Sequence, residues 1–297
     1  MPYHFDFTFV TFKKFIASLD SLHFSPFVEY LEQEREESII LRHDVDALPS
    51  HSLRFAQIQK SFGIRGSYYF RIIPESLNAE IIEKIANLGH EIGYHYEDLT
   101  LVAVTRQKAK EKKQKVKRKW KDEDAELDNL LEQGIESFAK NLAAMRQYAD
   151  IQTICMHGSP MSKWDSRLLW TKYDYRDFGI VGEPYFDIDF SQVAYYTDTG
   201  RRWDGDSVSV RDKVNYGGQN FPKFRSTFDI IRTAESGTLP SRVMFTFHPQ
   251  RWHDRPLPWL AEWTSQNAKN AVKRWFFVAG QKDVFETSRS TVKQNRK

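Results

Sequence analysis

Three runs set the reading of the fold: Ser38-Ile39-Ile40-Leu41-Arg42, the stretch Ser50 to Phe62, and Gly66-Ser67-Tyr68-Tyr69-Phe70-Arg71-Ile72. The first and third read as strands. Between them Leu53, Ala56, Ile58 and Phe62 recur at helical spacing, and Gly63 follows as a stop. The pattern then repeats. Asn78 to Leu88 places Ile81, Ile82, Ile85 and Leu88 on one helical face before Gly89, and His90 to Tyr94 reads as a third strand. A fourth strand fits Ile151 to Met156, and weaker ones fit Phe178 to Val181 and Gln192 to Thr197. A helix at Thr227 to Glu235, a strong strand at Arg242 to Phe247 and a helix at Trp259 to Phe276 complete the series. Strands alternating with helices imply parallel β-α units. Six or seven such units in 297 residues fit a closed or nearly closed barrel better than an open sheet, with a doubly wound sheet as the alternative.

The chain is apolar enough, at 40%, to bury one large core, so a single domain spanning 1–297 is expected. Aromatics at 14% serve mainly that core, although flat rings can also line a carbohydrate cleft. A net charge of +3 does not mark the whole chain as a polyanion binder. Cys155 is the one cysteine, which excludes an intramolecular disulfide. Lys13 and Lys14 interrupt the first twenty residues and no bilayer-length apolar run follows, so a cytoplasmic protein without a transmembrane segment is expected.

One segment, about 104–146, breaks the alternation. Arg106 to Lys121 holds ten Lys or Arg, and Asp122 to Glu136 holds seven acids and no base. Leu127, Leu131, Ile135, Phe138, Leu142 and Met145 step by three or four residues, so the acidic half has an apolar face. This reads as a helical insertion, dispensable for the rest, whose acidic arm packs on the body while the basic arm projects. A solvated, charge-paired helix pair is the plain reading, and a surface for an anionic partner is the sharper one. A polar tail at about 281–297 ends the chain.

The candidate chemistry lies at strand ends. Asp44 and Asp46 follow the first strand, His95 the third, His157 the fourth and His248 the last strong one. In a parallel α/β barrel these ends share one face, where active sites form. Imidazole and carboxylate suit zinc and other first-row divalent ions. A carboxylate that takes a proton from water and a histidine that returns one to an amine describe amide hydrolysis. The loop Asp198 to Asp206, with Arg201, Arg202 and Trp203, reads mainly as an ordinary polar loop, and Cys155 as a buried spectator.

His43-Asp44-Val45-Asp46, Gly89-His90-Glu91-Ile92-Gly93-Tyr94-His95 and Phe245-Thr246-Phe247-His248-Pro249-Gln250 together resemble the motifs of the polysaccharide deacetylase superfamily, in a divergent branch. The resemblance runs from Ile39 to His253 and implies a distorted (β/α)7 barrel that removes acetyl groups from N-acetyl sugars with a divalent metal. By it, Asp44 is the base, Asp46 and His95 bind the metal, preferably zinc, and His248 is the general acid. Members of the family place a second metal histidine four residues after the first. Leu99 stands there, so His157 is taken as its replacement, with Glu97 and Asp98 as the alternative. The function expected is hydrolysis of a C–N bond in an acetylated sugar or glycan precursor. A hydrolase of small cyclic amides and a non-catalytic carbohydrate-binding or scaffold protein are the competing readings.

Overall fold

The computed structural model describes residues 5–273 apart from 21, 34, 113–122, 160–161 and 205–213, and the side chains of 109–125 also lie outside the description. Two N-terminal helices, α1 (Phe9–Ser18) and α2 (Phe27–Glu32), precede β1 (Ser38–Val45), α3 (Pro49–Ser61), β2 (Ser67–Phe70), α4 (Ala79–Asn87) and β3 (Glu91–Tyr96). Then come α5 (Asp98–Lys112), α6 (Glu123–Met145), β4 (Ile154–Met156), the short helix α7 (Pro184–Asp187), β5 (Ala194–Thr197), α8 (Thr227–Glu235), β6 (Arg242–Phe247) and α9 (Pro256–Lys273). Gly63 and Gly89, at φ +70° and +91°, end α3 and α4 in a conformation that a side chain would strain.

The six strands form one sheet in the order β4-β3-β2-β1-β6-β5, every pair parallel. The fold is α/β, but the expected closed (β/α)7 barrel is not what forms. The edge strands β4 and β5 do not pair with each other, so the sheet is open. Phe178–Val181, expected as a strand, begins as the end of a 3-10 helix and turns at Gly179 (φ 70°). A chain reversing there cannot extend a ladder, and a single bridge between Thr153 and Gly182 is all that follows. The sheet nevertheless curls. Three strand spacings of about 4.8 Å separate β1 from β4 in a flat sheet, yet His157 after β4 comes within 3.4 Å of Asp46 after β1.

Alternation along the strands divides the interior. Ile39, Leu41 and Val45 join Tyr68, Phe70, Tyr94, Tyr96, Phe245 and Phe247 beneath the helices. Ile40 packs with Tyr69, Cys155, Tyr195 and Met244 on the other face, whose far end holds the polar residues described below. Gly93 is required on this face, because a Cβ there would stand 2.3 Å from the Tyr69 ring. The aromatic surplus serves the core: Phe12, Phe15, Phe55, Phe247, Trp203 and Trp252 pack ring on ring.

The charged insertion is only partly an appendage. Leu130, Leu131, Phe138, Leu142 and Met145 of α6 are buried in the main core, and the Phe138 ring packs against those of Tyr94, Tyr96 and Trp170. Thus α6 contributes buried side chains to the core over β3, more than an appendage would. Most of the basic arm, with any anionic partner it would bind, lies outside the described residues, as does the tail from 281. Among the described residues no helix is long and apolar enough to cross a membrane.

Candidate metal centre and its surroundings

β1 carries Arg42 and Asp44 on the concave face, two residues apart, and Asp46 follows in the turn toward α3. Asp44 lies inside the strand, not beyond it. Arg42 donates from Nε to Asp44 Oδ1 (2.8 Å) and from Nη2 to Oδ2 (2.6 Å), and both side chains are almost fully buried. Burial pushes the Asp44 carboxyl up, but Arg42 with His95 outweighs it and holds the group ionised, well below the usual carboxylate range.

His95 and His157 approach Asp46 from the ends of β3 and β4. His95 Nε2 is 3.7 Å and His157 Nε2 3.4 Å from Asp46 Oδ1, and one ligand atom from each of the three residues lies within 4.8 Å of the others. The tautomers follow from the partners. The Cys155 carbonyl can only accept, so His95 Nδ1–H donates to it (2.9 Å), and His157 Nδ1–H donates to Glu97 Oε2 (2.9 Å). Nε2 is therefore the nitrogen that each ring turns toward Asp46, with the other nitrogen held as in metal-binding histidines. Burial lowers His95 to about 4, against the opposing pull of Asp44 and Asp46, so its ring is neutral at pH 7.

These residues fit a divalent ion. Asp46 Oδ1 is buried and has no hydrogen-bond partner among the described residues, while Gln250 Nε2 donates to Oδ2 (3.1 Å). Donor atoms around a tetrahedral zinc with bonds of about 2.0–2.2 Å stand roughly 3.4 Å apart, close to the spacings here. A second group, Asp44, His95 and Cys155, also has ligand atoms within 4.8 Å, but it shares His95, and its carboxylate is taken by Arg42. Cys155 is fully buried.

The alternatives to His157 are engaged elsewhere. Asp98 faces α6, where it accepts from Tyr94, Ser137 and Asn141, and burial raises it to about 6. Glu97 accepts from His157 and Ser159 on one oxygen and from Arg71 on the other. Burial raises it, but His157 and Arg71 bring it down to about 2, so it orients from behind. Leu99 is core, in contact range of Gly134.

His248 follows β6 on the same face. Its Nδ1–H donates to Asp198 Oδ1 (2.6 Å), and its backbone N–H also reaches that carboxylate. Asp198 is wholly buried and further accepts from Trp252 Nε1 (2.7 Å) and Arg251 Nη1 (3.1 Å). Burial raises its carboxyl, and His248 and Arg251 overcome that. In the sequence Asp198 only heads a polar loop that follows an expected strand. Its position directly after β5, beside β6, was the signal that could have singled it out. Arg201 and Trp203 of that loop do not open on the site: Arg201 lies over the rings of Phe7 and Trp259, and Trp203 is core. Nor does His43. It faces the helices, stacks on Tyr68 and binds the Ser67 carbonyl and Gln59.

No family model matches the chain, and none of the curated proteins does. Among solved structures, Escherichia coli diaminopropionate ammonia lyase in apo form is similar at 13% identity over 89% of this chain and 79% of that one, with a TM-score of 0.21, a likeness too low to carry the fold or the chemistry across.

Proposed function

We propose that the chain is a metal-dependent hydrolase of C–N bonds, an N-deacetylase acting on an acetylated sugar or glycan precursor. The observation that carries the reading is Asp46 Oδ1, a buried carboxylate oxygen without a hydrogen bond among the described residues, standing beside the Nε2 atoms of two histidines that are each anchored from behind. The motif resemblance to polysaccharide deacetylases supports the substrate class. Asp46, His95 and His157 would hold the ion. When bound, such an ion lowers the pKa of water toward about 7 and polarises a carbonyl. Asp44, kept ionised by Arg42, takes the proton from the attacking water. His248, oriented by its Nδ1–H bond to Asp198, would act as the imidazolium and give its Nε2 proton to the departing amine, returning to the neutral Nδ1–H ring. Asp44 and Asp46 divide the work because Asp44 is occupied by a guanidinium while Asp46 keeps one oxygen free.

The test is metal content of protein purified without chelator, beside hydrolysis of a panel of N-acetyl sugars and small cyclic amides. Asp46→Asn should lose metal, and Asp44→Asn should keep it and lose turnover. Retention of metal by Asp46→Asn with loss from Asp44→Asn reverses the two roles. A wild type that binds no divalent ion ends the hydrolase reading, and turnover of cyclic amides alone moves the substrate class.

A further inference from the structure

Arg71 follows β2 and extends toward Asp46, its side chain 17% exposed. Its Nε (2.7 Å) and Nη2 both donate to Glu97 Oε1. The other oxygen of Glu97 holds His157, so one carboxylate fixes a candidate metal ligand and the plane of a guanidinium together. The Arg71 backbone is fixed too: its N–H donates to Ser76 Oγ (3.0 Å), and that hydroxyl donates to the Val45 carbonyl at the end of β1. The third nitrogen is what remains. Nη1 makes no hydrogen bond among the described residues and stands 4.0 Å from Asp46 Oδ1. That distance is too long for a strong hydrogen bond. Nη1 is therefore a donor on the Asp46 side that no acceptor among the described residues takes up.

A side chain kept only to neutralise Glu97 has no need to aim its remaining donor edge at Asp46. We propose that Arg71 Nη1–H is the donor for the oxygen of the scissile carbonyl, placed where negative charge develops during hydrolysis. This rests on the hydrolase reading above. Water adds to the carbonyl carbon, its oxygen forming the new C–O bond while the π pair moves onto the carbonyl oxygen. The water proton goes to Asp44. The oxygen that gains charge lies against Arg71. Collapse restores the C=O bond and breaks C–N, and the amine leaves with the proton from His248. Because Arg71 and Glu97 cancel in charge, Arg71 contributes direction more than net attraction. A rigid donor acts most strongly on the charged state and little on the neutral substrate.

The probe is methylphosphonate, a tetrahedral anion with the shape of a hydrated acetyl group, titrated calorimetrically into zinc-loaded wild type, Arg71→Lys and Arg71→Met. Zinc content is measured on the same samples. We expect equal zinc content, methylphosphonate affinity reduced about tenfold or more in Arg71→Met and partly kept in Arg71→Lys. For any amide the wild type hydrolyses, kcat should fall about 10²- to 10³-fold with KM little changed, the size of effect seen when one oxyanion donor is removed. Three results overturn the proposal: unchanged methylphosphonate affinity in Arg71→Met, a raised KM with kcat intact, or loss of zinc from Arg71→Lys, which would make the residue a prop for His157. If wild type binds zinc and methylphosphonate but the variants do not differ from it, this inference alone fails. If wild type binds no zinc, the hydrolase reading fails and takes this inference with it.

Discussion

The buried pair of Arg42 and Asp44 permits a stability test that is independent of activity. The side chains are 1% and 4% exposed and joined by two hydrogen bonds, at 2.8 and 2.6 Å. Arg42 Nη1 has no hydrogen bond among the described residues, so the pair is already incompletely satisfied. Removing one partner leaves an uncompensated charge in the interior, a loss of about 3–5 kcal/mol. At roughly 2 °C per kcal/mol for a chain of this length, Arg42→Met should melt about 6–10 °C lower. Asp44→Leu strands the guanidinium and should behave alike. The double variant removes both charges, and such replacements are often neutral or stabilising. Its stability should therefore return toward wild type, giving a coupling of several kcal/mol. Urea unfolding of the metal-free wild type, both single variants and the double variant measures this as a cycle. Additive losses in the double variant, or a loss below about 1 kcal/mol for Arg42→Met, would refute the view that the two groups hold each other in place. The same substitution bears on chemistry, because without Arg42 burial is left to raise the Asp44 carboxyl. The acid limb of a hydrolysis pH profile should then move to higher pH.

Further outcomes follow from the same contacts. His248→Ala should keep its metal and lose about 10²- to 10⁴-fold in turnover, and a drop in metal content would place His248 among the ligands. Phe138→Ala, which opens a cavity between α6 and β3, should cost about 3–5 kcal/mol in urea unfolding, whereas a small effect would return α6 to the role of an appendage. Burial holds His43 near 3 and His90 and His95 near 4, below the 6.5 of an exposed ring. Their folded pKa values are depressed, so the unfolded chain binds the extra protons. The stability they contribute is complete above about pH 6.5 and is lost as pH falls toward 4. Urea midpoints of metal-free protein at pH 7 and 4.5 should show the loss, and a smaller gap in His43→Gln would assign part of it to that ring.

The local elements were legible because their signals are local. Apolar spacing marked α3 and α4, Gly63 and Gly89 marked their ends, and uninterrupted apolar runs marked β1, β2 and β6. Strand ends also singled out Asp44, Asp46, His95, His157 and His248, because parallel strands deliver their last residues to one side. Closure of the sheet was beyond such reasoning. It depends on whether two short edge strands far apart in sequence find a common register, and β4 and β5 do not. The faces of single residues were equally hidden. His43 and Asp44 are neighbours in one motif, yet strand parity sends His43 among the aromatic rings and Asp44 to the polar face. Glu97 and Asp98 looked interchangeable as ligands until the turn after β3 aimed one at His157 and the other at α6. Arg71 and Asp198 carry no motif at all. What they do depends on partners 26 and 50 residues away, Glu97 and His248, and such pairings exist only once the sheet has curled and the strand ends stand side by side.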